Sequence, residues 1–116
     1  MMLLTKQEIL AAVDIKSTDV PVPEWGGTVR VRTMTGLERD AMGTAMIGAD
    51  GKADMSTYRV RLVAACIVDD QGNQVFTAED VTALGAKSAA ALDRVFTAAD
   101  ALNQMGQAAV EQAAGN

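Results

Sequence analysis

The side chains that most often do chemistry in enzymes are absent or scattered in this sequence. None of its 116 residues is a histidine, so it lacks the commonest general base and the usual zinc ligands. It therefore also lacks the Ser-His and Cys-His pairs that activate nucleophiles. No glycine-rich loop ends in Lys-Ser or Lys-Thr, the pattern that holds nucleotide phosphates. The 15 acids are scattered, mostly at helix starts and turns. The sequence therefore predicts no enzyme and no cofactor.

One short segment, residues 69–73, gathers oxygen-bearing side chains as a calcium loop does. It reads Asp-Asp-Gln-Gly-Asn, and Ca²⁺ prefers oxygen ligands. The segment lacks the alternating acids and the closing glutamate of that loop, and Gln74 stands where the loop has its invariant glycine. The other interpretation is a turn in which Gly72 or Asn73 is left-handed. The pattern favours the turn, so no metal site is predicted.

Cys66 is the only cysteine, so an internal disulfide is excluded and a reducing, cytoplasmic location fits. Its place in an apolar segment with no histidine nearby favours an inert core thiol over a reactive one. The apolar opening, residues 1–4, is too short for a signal peptide or a membrane span. The net charge is −5 and the ten cations are spread along the chain, so no nucleic-acid partner is expected.

Four residues are candidates for binding a protein partner. Trp25 lies beside two glycines and would serve either as an exposed partner anchor or as a cover for the end of a hairpin. The second interpretation is favoured. Met34, Met42 and Met46 fall near one another around a predicted helix. Methionines are more often gap-fillers in a core, but a flexible methionine surface also suits a protein that binds others.

The chain begins with a helix and a hairpin. Thr5 and Glu8 form a capping box that starts a helix running to about Val13, and the polar residues 17–19 predict a turn. Extended segments follow around Val20 and Val22 and at residues 29–32, where valine and arginine alternate, with Gly26-Gly27 as a tight turn. Two strands alone are marginal, so helices must cover their valine face.

Four further helices are predicted after the hairpin. They span about residues 36–47, 55–68, 77–85 and 88–105, and the second of these is apolar nearly all round, typical of a buried centre. The predicted fold class is α+β, mostly α: a small helical domain with one N-terminal β-hairpin packed on about four to five helices. It occupies residues 1–105, and residues 106–116 form a flexible Ala/Gln-rich C-terminal tail.

Two blocks of the sequence match a known pattern in order and spacing. Residues 23–40 hold Pro-Glu-Trp-Gly-Gly, then Val-Arg-Val-Arg, then Thr-Gly-Leu-Glu-Arg-Asp. Residues 62–84 hold Leu-Val-Ala-Ala-Cys-Ile-Val-Asp, then Val-Phe-Thr and Glu-Asp-Val. Together these blocks resemble the tail assembly chaperones of long-tailed bacteriophages, and the similarity covers roughly residues 23–102.

The resemblance implies a non-enzymatic protein of the infected host's cytoplasm. Such a chaperone binds the tape-measure protein, keeps it soluble while major tail protein polymerises around it, and is absent from the finished virion. Many members are also made in a longer, frameshifted form, and self-association remains open. The first alternative is a structural minor tail or connector protein that stays in the particle. The other is a phage-encoded regulator or inhibitor directed at the host.

Overall fold

The computed structural model describes the backbone of residues 2–115 and the side chains of residues 2–103. Within this part, five α-helices accompany a three-stranded antiparallel sheet of order β1-β2-β3. The helices are α1 (Lys6–Ala11), α2 (Gly36–Ala45), α3 (Tyr58–Cys66), α4 (Val81–Gly85) and α5 (Ala89–Gly115), and the strands are β1 (Ser17–Val22), β2 (Gly27–Arg32) and β3 (Ile67–Val68). The predicted α+β, mostly α fold class is confirmed.

The predicted capping boxes are present where helical segments begin. The Thr35 hydroxyl accepts a hydrogen bond from the Glu38 N–H at 3.1 Å, and the Glu38 carboxylate accepts one from the Thr35 N–H at 2.8 Å. Thr5 caps α1 in the same way, and Thr77 caps a short 3₁₀ turn that leads into α4. Because each box satisfies free amides of a first turn, it determines where the helical segment starts.

The hairpin differs from the prediction at its turn and at its start. Residues 23–25 form a 3₁₀ turn closed by Gly26 at φ 73°, whereas Gly27 already pairs with Val22 in the ladder. Of the two glycines in this turn, only Gly26 therefore uses the left-handed conformation that glycine adopts readily. Residues 17–19, predicted as a turn, belong to β1 and pair with residues 30–32. Pairing across the sheet outweighs their local preference for a turn.

The predicted third helix ends two residues early, and its last two residues become β3. Ile67 pairs with Val31 and Val68 with Arg30, so the hairpin gains a third strand. Both side chains are branched at Cβ, which favours extended structure where a strand edge is available. The helix start is also shifted, since residues 55–57 form a 3₁₀ turn before α3.

The core lies between the sheet and the helices α3, α4 and α5. Helix α3 packs against α5 and α4, and α5 also covers β1 and β2. The buried apolar residues that form one connected core cluster are Val20, Val22, Val31, Leu62, Val63, Ala64, Cys66, Ile67, Leu84, Ala91, Leu92, Val95 and Ala99. The prediction that the third helix is the buried centre of the domain is confirmed.

The division into a domain of residues 1–105 and a flexible tail of residues 106–116 remains a prediction. The side chains that would decide it lie outside the described residues.

Candidate functional site

The N-terminal arm, residues 2–15, carries most of the exposed large apolar side chains of the described chain. None of the residues of α1 is buried. Of eleven such exposed side chains, seven lie in the arm: Met2, Leu3, Leu4, Ile9, Leu10, Val13 and Ile15. A helix of six residues is marginal in water unless another surface supports it. The arm is therefore a candidate binding surface, since covering it removes apolar area from water.

A groove of about 530 Å³ lies beside the start of β2. We call it the sheet-edge groove. Its apolar wall is made by Trp25, Val29, Val75 and Phe76, and three carboxylates line it together with a single guanidinium. Trp25 and Phe76 are partly buried and pack against the core, so this wall is held in place by the folded domain.

A smaller groove of about 180 Å³ lies between α2 and α3, and we call it the helix groove. Its lining includes Met42 and Phe76 with five alanines, and Glu38 and Arg61 also contribute. Small alanine side chains let an incoming helix approach closely, and methionine adapts its shape to different partners. This is a surface on which an apolar helix face can lie.

The structure separates the four predicted binding residues. Trp25 lines the sheet-edge groove and Met42 lines the helix groove. Met34 is partly buried and packs against the core, and Met46 lies half-buried at the C-cap of α2. The binding role of these four residues remains a prediction.

Phe76 lines both grooves, and sequence reasoning did not single it out. It also did not single out the arm as a surface, although its run of apolar residues was visible. Sequence alone could not identify these surfaces, because a pattern of apolar residues is the same whether or not another element packs over it. Only the tertiary structure shows which apolar residues stay exposed.

An ion pair with little exposure positions α2 against the sheet. Arg32 of β2 makes two bonds to the Glu38 carboxylate, at 2.8 and 2.7 Å, and donates a third from Nε to the Gly72 carbonyl at 3.2 Å. Hydrogen bonding to Arg32 is the main cause that lowers the pKa of Glu38 below 4.5. The pair thus joins β2, the start of α2 and the turn after β3, and supports one wall of the helix groove.

The single thiol is part of the core. Cys66 is fully buried, and this burial raises the pKa of its thiol to about 11. Asn103 of α5 donates to the Cys66 sulfur at 3.6 Å, while its own oxygen accepts from the Met34 N–H at 3.1 Å. A protonated, enclosed thiol is a poor nucleophile, which agrees with the interpretation of Cys66 as a core residue.

The segment of residues 69–73 is the predicted turn. Asp69 accepts hydrogen bonds from the N–H groups of Gln71 and Asn73, at 2.9 and 3.0 Å, and Gly72 is left-handed at φ 83°. Among the described residues, no group of three or more His, Cys, Asp or Glu side chains is arranged to hold a metal ion. No helix in the same part of the chain is both long and apolar enough to span a membrane.

These features define a small α+β domain whose candidate sites are apolar surfaces for other proteins. The family model described as phage tail assembly chaperone matches residues 5–115. The chain therefore belongs to the phage tail assembly chaperone family, as the resemblance predicted.

A solved structure agrees on the fold. The chain is similar to the tail assembly chaperone of bacteriophage HK97, with 17% sequence identity and a TM-score of 0.54 over 81% of this chain and 89% of that chain. No curated protein sequence matches it.

Proposed function

We propose that this protein binds the tape-measure protein of its phage and helps to recruit major tail protein during tail morphogenesis. It would act in the cytoplasm of the infected host, without catalysis, and leave before the virion is complete. Family membership over residues 5–115 supports the role in tail assembly. The observation that carries the binding proposal is the N-terminal arm, with seven large apolar side chains exposed.

The physical reason for such an arm is the nature of the proposed client. A long helical protein with apolar stripes associates with itself unless those stripes are covered. An amphipathic segment or a groove covers them by the helix-in-groove mode. This protein has both kinds of covering element. The arm is an apolar segment that can lie on a stripe of the tape-measure protein, and the helix groove, with Met42 in its lining, can accept one of its helices. Met34 and Met46, which do not line this groove, would provide separate contacts, and Trp25 would provide one beside the hairpin.

Release is as important as binding, because the client must be handed to the growing tail. A short arm buries limited area, so one copy binds modestly and several copies along one client bind firmly together. Arrival of tail protein can then displace the copies one at a time.

Co-expression with the tape-measure protein tests the arm. The double change Ile9→Gln and Leu10→Gln should reduce the amount of co-purified, soluble tape-measure protein about tenfold, because two apolar contacts are lost. Gln7→Ala, in the same helix and also exposed, is the matched control and should leave recovery unchanged. If the unchanged protein, the double variant and Gln7→Ala recovered equal amounts of tape-measure protein, the arm would be excluded as the contact. If the unchanged protein recovered none, the tape-measure protein would be excluded as the partner.

Protein composition of purified virions tests whether the chain leaves. Mass spectrometry should detect major tail protein and tape-measure protein but not this chain. Its presence in stoichiometric amount would instead support a structural minor tail or connector protein.

A further inference from the structure

Strand β2 is longer than the strand that covers its outer edge. On one side β1 pairs with all of Gly27–Arg32. On the other side β3 pairs only with Arg30 and Val31. In the described part of the chain, no further strand, bridge or other backbone hydrogen bond reaches residues 27–29 from that side. An edge of this kind presents N–H and C=O groups that another strand can pair with.

The chain itself turns away from this position. After Val68 the Asp69 N–H donates to the Asn73 carbonyl at 2.9 Å, and the Gly72 N–H donates to the Asp69 carbonyl at 3.1 Å. The turn reverses the chain, and Val68 then forms a bridge with Gln74. Residues that would have continued β3 beside Thr28 and Val29 are therefore used elsewhere, and the place next to β2 is left open.

The open place coincides with the sheet-edge groove. Thr28, Val29 and Val68 line this groove of about 530 Å³, within the roughly 300–1,000 Å³ typical of ligand pockets. Three strand residues span about 10 Å at the usual rise per residue. Trp25 and Phe76 provide apolar walls that are anchored on the core, so alternate side chains of an added strand would meet a firm surface.

The sheet-edge groove is negatively charged, which favours extended segments that carry a basic residue. Asp19, Asp69 and Asp70 line it, with Arg30 as its cation. Arg30 is bound by Asp19, with N–O distances of 2.7 and 3.2 Å. Arg30 also interacts electrostatically with Asp70, so the three carboxylates of the groove share one guanidinium and negative charge is in excess there. Asp69 in addition accepts hydrogen bonds within its turn. A basic side chain would complement this end of the groove.

We propose that the sheet-edge groove binds an extended segment of a partner protein, which adds a short strand to β2 at residues 27–29. The segment alternates branched apolar side chains with polar ones and places Lys or Arg beside Asp69 and Asp70. Main-chain hydrogen bonds to β2 provide the affinity, and the carboxylates of Asp69 and Asp70 select segments that carry a basic residue at that position. This proposal does not depend on the function proposed above, since it requires only an open edge and its charges.

The test is an NMR titration of the whole protein with the peptide acetyl-Lys-Val-Thr-Val-Lys-amide. The amide signals of Gly27, Thr28 and Val29 should shift, and those of Ile9 and Leu10 in the arm should not. Two methylated peptides provide the decisive comparison, one N-methylated at both valines and one at the threonine. Alternate N–H groups of a strand point to the same neighbour, so one methylated peptide should bind about tenfold more weakly than the other.

Charge is tested with Asp70→Lys, a change in an exposed turn position. It should weaken the basic peptide about two- to tenfold and strengthen acetyl-Glu-Val-Thr-Val-Glu-amide. Asp40→Lys, the same charge change at an exposed position of α2, is the matched control and should have little effect on either peptide.

Three results would overturn the proposal. The first is equal binding of the two methylated peptides, which would mean apolar adsorption without strand pairing. The second is an absence of shifts at residues 27–29. The third is a shift of those signals with protein concentration alone, which would assign the groove to a second copy of this chain.

Discussion

Helix α3 and the N-terminal arm are both short and rich in apolar residues, yet the side chains of α3 are largely buried and those of the arm are exposed. Val63 in α3 is 0% exposed and Val13 in the arm is 96% exposed. Helix α3 packs against α5, α4 and α2, whereas no residue of α1 is buried. The same side chain therefore stabilises the fold in one place and remains available to a partner in the other.

This difference separates the two uses of apolar surface in one small protein. Apolar area removed from water on folding contributes to stability, and apolar area left in water contributes only when a partner covers it. Substitutions in α3 should therefore change the free energy of unfolding, and substitutions in the arm should change binding.

The largest effect is expected in the core. Val63→Ala and Ile67→Ala should each lower the free energy of unfolding by about 1–4 kcal/mol, because transfer and cavity terms add in a packed interior. Both side chains are nearly or fully buried. Urea unfolding followed by circular dichroism measures the loss. If Val63→Ala kept full stability and lost tape-measure binding instead, the assignment of core and binding surface would have to be exchanged.

An intermediate effect is expected at the Arg32–Glu38 pair. Glu38→Gln should cost about 1–2 kcal/mol at pH 7, because a charge-assisted, little-exposed hydrogen-bonded pair is lost. The lowered pKa means that Glu38 contributes stability above its ordinary value of 4.5 and loses it as the pH falls through the folded-state pKa. The unchanged protein should therefore lose its advantage over Glu38→Gln on acidification below about pH 4.5.

Asp19→Asn provides the matched control for that measurement. Asp19 pairs with Arg30, but the two side chains are 52% and 45% exposed. Solvent screens such a pair, so its loss should cost clearly less stability than the loss of the Arg32–Glu38 pair. A larger cost for Asp19→Asn than for Glu38→Gln would contradict the view that the less exposed pair holds α2 against the sheet.

The smallest effect on stability is expected in the arm. Val13→Ala should change the free energy of unfolding by less than about 0.5 kcal/mol, the usual range for an exposed position without special contacts. The measurement is the same urea unfolding, with Val63→Ala as its core counterpart. A loss of more than about 1 kcal/mol from Val13→Ala would show that the arm folds against the domain, because exposed positions lack such costs.

Features that depend on neighbours in sequence could be predicted well. The capping boxes at Thr5, Thr35 and Thr77 are satisfied by residues three positions further on, so their pattern is readable without the fold. An almost continuous apolar stretch likewise located α3, and apolar periodicity over residues 92–102 located α5. The element ends were less accurate, since β3 formed from residues that continued the apolar pattern of a helix.

Local signals were insufficient where distant residues decide the outcome. Residues 17–19 look like a turn, but pairing with residues 30–32 places them in β1. Trp25 and Met42 could both be named as candidates from their types, while only the fold showed that they line different grooves and that Phe76 lines both.

The sequence by itself determined the absence of histidine, the capping boxes, the two strands of the hairpin and the resemblance to tail assembly chaperones. These rest on residue types and on spacings of a few positions, which remain the same in any arrangement of the chain. Only the tertiary structure decided which apolar segments are covered, where β2 keeps an open edge and which carboxylates stand beside it. Burial and strand pairing join residues far apart in sequence, and the number of such pairings is too large for local pattern to choose among them.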